Sequence, residues 1–234
     1  MITEHEIARY RAVQSLAREV IDELASTICA EDTETSIAGR ATEALSLRGL
    51  TETWYHQCPA LVLLGSRSCL SISGRHYVPA LEPVGPVNLV TVDLSPKQHD
   101  VWGDCARSFF IEDGRRTPTP TIPEFREGHD FLQSLHAAMQ AFVEPETTFH
   151  ELFEWAAARI ATAGFENLDF AGNVGHSIAT HPQDRKYIKA ANPAALGSVA
   201  FFTFEPHVRR AGGQWGFKHE NIFFFDPAGR VETL

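Results

Sequence analysis

The strongest constraint on the fold is internal. Laying Gly49 on Gly164, an offset of 115 residues, places Glu31 on Glu146, Thr33 on Thr148, Ile37 on Leu152, Ala41 on Ala156 and Leu45 on Ile160. Each half then reads as a long helix, an acidic turn, a shorter helix, a glycine and strands. Glycine suits that closing position because many helices end in a left-handed residue, which costs glycine little. Two copies of such a unit predict an α+β fold: a pseudo-twofold, duplicated antiparallel sheet with helices packed on one face.

Local patterning fills in each half. Over residues 4–28, Ile7, Tyr10, Val13, Leu16, Val20 and Leu24 recur every three or four positions, one stripe of an amphipathic helix. A second helix is expected over about 34–48, with Ile37, Ala41 and Leu45 inward. Trp54 to Leu64 reads as strand material interrupted at Pro59, and 65–74 as a small-residue hairpin or loop. Residues 112–127, with Pro118, Pro120, Pro123 and the Asp113-Gly114 turn, read as a surface connector. A third helix is expected from Asp130 and a fourth from Thr148, where Glu151 completes a capping box. Strands follow, notably Val199 to Phe204 and Asn221 to Phe225. The 234 residues are enough for one domain, 1–234, in halves of roughly 1–115 and 125–234.

Composition excludes several functions. A formal charge of -10 disfavours nucleic-acid and anionic-membrane partners, which call for a basic patch. No run approaches the ~18 apolar residues of a membrane span. The first residues lack a signal-peptide core, so a cytoplasmic location is the default expectation. Cys29, Cys58, Cys69 and Cys105 have no C-x-x-C spacing and read as free thiols.

Chemistry enters with Asn88 to Phe110. Leu89–Leu94 and Val101–Phe110 read as the strands of a hairpin, split by Ser-Pro-Lys-Gln-His-Asp. A symmetric turn centred between Gln98 and His99 would set Asp93 directly across from Asp104, and like charges so placed are destabilising. A shared proton, solvent exposure or a bridging multivalent cation would offset the repulsion. In the second half, His176 lies among small residues in Gly-Asn-Val-Gly-His-Ser, Glu205 ends an apolar strand, and Glu220 leads into Asn-Ile-Phe-Phe-Phe. Singly, a strand carboxylate has the ordinary reading of a salt bridge or an exposed face. Together, four carboxylates and one imidazole suit paired Mn, Co, Fe or Zn ions that activate a bridging water.

The segments VTVDL, WGDCARSF, GNVGHS, TFEP and HENIFF, with their ordered Asp93, Asp104, His176, Glu205 and Glu220, resemble the pita-bread metallopeptidases: methionine aminopeptidase, Xaa-Pro aminopeptidase and prolidase. The resemblance implies a pita-bread fold and two divalent metal ions held by those five residues. It implies an aminopeptidase that removes an N-terminal residue from a small peptide, through a metal-bridging hydroxide with Glu205 as general base. His76 is similar in placement to the family's substrate-contacting histidine, and His181 to the one that polarises the scissile carbonyl. A homodimer is compatible with it. Relatives of this fold also include creatinase-like hydrolases of small non-peptide amides and non-catalytic binding proteins, which tend to have lost the metal ligands that are all filled here. Three departures stand out: Ala106 where Thr is usual, His207 after Glu-Pro where Gly is usual, and His219 beside Glu220.

Overall fold

The computed structural model describes residues 3–234. Its elements run α1 (Glu4–Thr27), α2 (Glu34–Leu47), β1 (Glu52–Thr53), β2 (Ala60–Leu64), β3 (Asn88–Leu94), β4 (Pro96–Gln98), β5 (Val101–Trp102), β6 (Cys105–Glu112) and β7 (Arg115–Thr117). Then follow α3 (Pro123–Phe142), α4 (Phe149–Thr162), β8 (Phe165–Asn167), β9 (Phe202–Phe204), β10 (His207–Arg210), β11 (Gly216–Lys218), β12 (Asn221–Phe225) and β13 (Val231–Thr233). The sheets are β2-β3-β6-β7, β1-β4-β5, β8-β10-β11 and β9-β12-β13, each joined by antiparallel pairs.

The 115-residue offset recurs in three dimensions. The bounds of α4 exceed those of α2 by 115 at both ends, 149 against 34 and 162 against 47. Thr33 and Thr148 cap the two helices with reciprocal side-chain bonds that satisfy otherwise orphaned amides. Gly49 and Gly164 follow with φ of 81° and 76°. Even the loop bonds repeat. Val84 and Gly85 donate their amides to Asp32 O and Ala30 O, as Leu196 and Gly197 donate to Thr147 O and Pro145 O.

Helices cover one face of each half. Val13, Ala17, Val20, Ile21 and Leu24 of α1 pack with Ile37, Ala41 and Leu45 of α2 onto Val90, Val92 and Leu94 of β3 and Cys105, Phe109 and Ile111 of β6. The second half repeats this with Leu132, Leu135 and Met139 of α3, Leu152, Ala156 and Ile160 of α4, and Phe202, Phe204, Val208 and Phe223 of the strands. Side chains alternate along a strand, so the residues between those of β3 and β6 turn to the opposite face.

Several boundaries differ from the sequence expectation. The third helix starts at Pro123, not Asp130: proline at the first helical position has no amide to leave unpaired, so this one opens a helix instead of closing a connector. In the Trp54 to Leu64 stretch only Ala60–Leu64 joins the main sheet, because His56 and Gln57 take positive φ in the turn before Pro59. The expected Val199–Phe204 strand shortens to Phe202–Phe204 behind a 3-10 turn at Leu196–Ser198. The Val101–Phe110 strand breaks after Trp102 and resumes at Cys105.

Candidate metal centre

That last break sets Asp104. Trp54 Nε1 donates to Gly103 O at 3.0 Å, and the buried Gln14 of α1 receives the Asp104 amide at 2.9 Å while its own Nε2 donates to Asp104 O at 2.6 Å. A helix side chain thus replaces the missing ladder bonds. Gly103 is needed there, since a Cβ would lie 2.9 Å from Pro96 Cγ and 3.1 Å from Val13 Cγ1.

The register corrects the expected cross-strand pair. Asp93 lies opposite Ala106, not Asp104, because Lys97 pairs with Trp102 and Gln98 with Val101, which moves the turn centre to between His99 and Asp100. His99 takes φ 57° to make that turn. The shift is two residues in partner, so both aspartates keep the same face, as diagonal neighbours. Asp93 shares this face with Thr91, while Val92 and Leu94 meet the helices.

The second half brings three more groups to that face. His176 sits where Gly175 runs against β9: its amide donates to Thr203 Oγ1 at 3.0 Å, and its carbonyl accepts from the Thr203 amide at 2.7 Å. Gly175 has φ 148°, and a Cβ on it would lie 2.3 Å from Thr203 O. Glu205 follows β9 with its amide on Val174 O at 2.9 Å. Glu220 leads into β12, its amide on Ala106 O at 3.0 Å, and Arg107 clamps the junction by donating to Glu220 O and to Asn221 Oδ1.

Ligand atoms of Asp93, Asp104 and Glu220 all lie within 4.8 Å of one another. His176 Nε2 is 3.5 Å from both Asp104 Oδ2 and Glu205 Oε1. Its Nδ1 faces the Ser177 carbonyl at 3.1 Å, which can only accept, so the ring proton belongs on Nδ1 and the Nε2 lone pair looks into the carboxylates. Burial pushes His176 down to about 4, which keeps the ring neutral at physiological pH. These two 3.5 Å contacts are therefore not ion pairs. Asp104 Oδ2 and both carboxylate oxygens of Glu220 are buried without any hydrogen-bond partner. Orphaned buried oxygens converging with an imidazole lone pair fit a divalent cation.

Lys218 is the unexpected member. Its Nζ lies 2.6 Å from Asp93 Oδ2, 3.0 Å from Glu205 Oε2 and 4.0 Å from Glu220 Oε2. Burial pulls the ammonium down, but the charges of Asp93, Glu205 and Glu220 outweigh that and raise it well above its ordinary value. Burial likewise pushes Glu205 up, and the Lys218 ammonium reverses the direction, so its carboxyl lies below the usual range. Asp104 and Glu220 have no such partner at bonding distance. Burial and the neighbouring carboxylates drive both well above the ordinary carboxylate range, and burial also raises Asp93.

The cluster lies against an open cavity of about 590 Å³ whose wall includes Trp54, Tyr55, Leu61, Leu63, Arg185 and Tyr187. The Arg185 guanidinium stands 4.9 Å over Trp54 and 5.3 Å over Tyr187, with Nη1 3.4 Å from His176 Nε2. Among the expected histidines, His76 and His181 are both exposed and outside the cavity wall. His76 closes a tight turn with its amide on Ser73 O, and His181 precedes the 3-10 turn Pro182–Asp184. The imidazoles that do line the cavity besides His176 are His56 and His207. His207 is buried with Nε2 2.7 Å from Ser68 O, and burial pushes it down to about 4. Lys218 was findable in the sequence: two residues before Glu220 in Gly-Phe-Lys-His-Glu, it falls on the same face if that stretch is extended.

A duplicated sheet bearing helices on one face and a carboxylate–imidazole cluster on the other defines a pita-bread protein with a candidate metal site. The model of metallopeptidase family M24 matches residues 8–226, and the chain belongs to that family. No match to the chain is found among the curated proteins. Among solved structures, X-Pro aminopeptidase from Thermotoga maritima MSB8 superposes with a TM-score of 0.80 at 19% identity, over 99% of this chain and 61% of that one. The prolidase from Pyrococcus horikoshii OT3 gives 0.81 at 16% identity, over 99% and 62%. Recombinant prolidase from Thermococcus sibiricus gives 0.80 at 14% identity, over 100% and 59%. The chain thus spans about three fifths of the length of these structures. No helix among the described residues is long and apolar enough to cross a membrane.

Proposed function

We propose that residues 1–234 form one catalytic domain of two halves, roughly 1–115 and 125–234, that hydrolyses a small peptide next to its N-terminus with the help of bound metal. The observation carrying this reading is the set of partnerless oxygens, Asp104 Oδ2 and both of Glu220, beside the His176 lone pair at the edge of an open cavity. The solved structures named as X-Pro aminopeptidase and prolidase support the same chemistry. Asp93, Asp104, His176, Glu205 and Glu220 are the side chains that would hold metal. When bound, the ion polarises the scissile carbonyl and makes water a better nucleophile.

The chain's own groups supply the rest. Glu205 stays ionised beside Lys218 and acts as general base, taking a proton from the attacking water and passing it to the leaving nitrogen. Trp54, Tyr55 and Tyr187 give the substrate an apolar wall and exclude water from around the reacting bond. His76 and His181, exposed in this conformation, would serve only after their loops move inward, whereas His56 and His207 already face the substrate's space.

The test is hydrolysis of dipeptides and tripeptides with Met, Pro or other residues around the scissile bond, run with Mn, Co, Zn and Fe in parallel. Glu205→Gln should lower turnover by 10²-fold or more at unchanged thermal stability, in the range a positioned base contributes. Turnover by a metal-stripped protein equal to that of the loaded one would refute the reading.

A further inference from the structure

The wall of the open cavity carries a cation that no side chain of the protein neutralises. Arg185 lines it, on the segment that follows His176. That segment is firmly held: Ser177 and Ile188 donate their amides to Lys186 O and Gly175 O, each at 2.8 Å, which pairs the chain around Arg185 with the run that delivers His176. The guanidinium is held as well. Its Nε donates to Pro182 O at 2.8 Å, and its carbon lies 4.9 Å from the Trp54 ring centre and 5.3 Å from that of Tyr187, inside cation–π range. Trp54 is itself stacked on the buried Trp102 at 4.8 Å and bonded through Nε1 to Gly103 O, so the platform under Arg185 is fixed.

Among the described residues no carboxylate oxygen lies within 4.0 Å of Arg185, although its charge is felt at Asp104 and Glu205. Its one further polar contact, Nη1 to His176 Nε2 at 3.4 Å, is long and uses the lone pair that the metal-site reading gives to an ion. With that lone pair engaged, the Nη donors have no protein acceptor. Arg75 lies on the same wall, also without a carboxylate within that distance, and burial together with the two arginines depresses the neighbouring His56. In a chain whose formal charge is -10, this wall presents positive charge without a counter-ion.

We propose that Arg185 binds a substrate carboxylate and so selects peptides that carry one a single residue beyond the scissile bond. A guanidinium fork matches a carboxylate through two parallel N–H···O bonds. The inference rests on the reading of His176 as a metal ligand, and the spacing follows from it. An ion ~2.0–2.1 Å from Nε2 lies less than ~5.5 Å from Nη1. Each added residue carries a chain end ~3.3–3.6 Å further away. A carboxylate gripped by Arg185 therefore belongs to the residue just after the bond polarised at the metal. Charge sets the direction: the substrate's ammonium is repelled by the guanidinium and its carboxylate attracted, so the C-terminal side lies toward Arg185. Two sources share this chemistry, the α-carboxylate of a dipeptide and an acidic side chain in the second residue of a longer peptide.

Hydrolysis kinetics of the metal-loaded chain test it, with Ala-Pro and Met-Ala each offered as the free acid and as the C-terminal amide. The free acids should be preferred about 10–100-fold in kcat/KM, the range of hydrogen bonds to charged groups. The difference should sit in KM, because the carboxylate is not part of the reacting bond. Arg185→Gln should bring acid and amide together, and Arg185→Lys should restore part of the preference. The amides of Ala-Asp and Ala-Asn separate the two sources: preference for the Ala-Asp amide assigns the site to an acidic side chain as well, and its absence beside an acid preference restricts it to the α-carboxylate. Acid and amide hydrolysed equally well, with no preference for Asp over Asn, overturn the inference and leave the metal-hydrolase reading standing. An Arg185→Gln variant that slows acid and amide by the same factor also overturns it. No hydrolysis of any peptide with any metal removes both readings. If Arg185→Gln does not fold, the acid-to-amide ratios of the unaltered protein and of Arg185→Lys decide.

Discussion

Gly175→Ala tests how the second half delivers its imidazole to the site. Gly175 has φ 148°, where a side chain is strained, and an added Cβ would lie 2.3 Å from Thr203 O, 2.9 Å from Ile188 Cδ1 and 3.0 Å from Thr203 C. The first of these is backbone and cannot step aside like a flexible side-chain end. Overpacking of this kind costs about 1–3 kcal/mol, and holding a non-glycine residue in such a conformation costs about 1–3 kcal/mol more. Partial relaxation brings the expected loss to about 2–5 kcal/mol, or roughly 5–15 °C in Tm for a chain of this size. The strain relieves itself by pushing His176 away from β9, since the neighbouring amide and carbonyl are bonded to Thr203. Metal affinity should therefore fall about 10–100-fold, the range seen when support for a ligand is lost. Gly172→Ala is the control: its φ of 72° also favours glycine, but nothing lies within 4 Å of the added Cβ. It should cost about 1–2 kcal/mol and leave metal affinity unchanged. Calorimetry and metal titration of both variants provide the readouts. A Gly175→Ala protein with unaltered Tm and metal affinity would refute the account of how the site is positioned.

Two further predictions concern the frame around the site. Gly39 is exposed in the middle of α2 with nothing within 4 Å of an added Cβ, so Gly39→Ala should stabilise by about 0.8–1 kcal/mol and raise Tm by about 2–4 °C; a lower Tm would count against the helix assignment there. Burial pushes Asp32 up, but bonds from Arg40, the Cys29 amide and Ser36 outweigh it and hold the carboxyl at about 2. A depressed folded value means stability that is fully present above the unfolded value near ~3.9, shrinks below it, and is lost as pH falls through the folded value of about 2. The shift corresponds to about 2.5 kcal/mol, reduced to about 1–2 kcal/mol because Arg40 is 37% exposed and partly screened. Denaturant unfolding at pH 7 and pH 2.5 should show Asp32→Asn less stable than the unaltered chain at both, with the gap smaller at the second, since it closes only below the folded value of about 2. A gap that does not narrow on acidification would remove the charge-based explanation.

What the sequence made legible follows from parity and periodicity. The stripe Val13, Val20, Leu24 specified α1 because only a helix puts those spacings on one side, and the glycine-anchored repeat located α2 and α4 because their caps and closing turns are local chemistry. The β3–β6 turn was less accessible. Pro96 to Gln98 keeps pairing with β1 and β5, so the strand pair extends further than a turn-forming run implies, and the contact partner of Asp93 moved by two. The convergence of the two aspartates survived because a two-residue shift preserves the face, whereas a one-residue shift would have turned one of them to the helices. Lys218 and Glu220, two apart, obey the same parity: whatever places Glu220 beside Asp104 also brings an ammonium to the cluster. The charge that this face presents to a metal is therefore set jointly by its carboxylates and by that lysine.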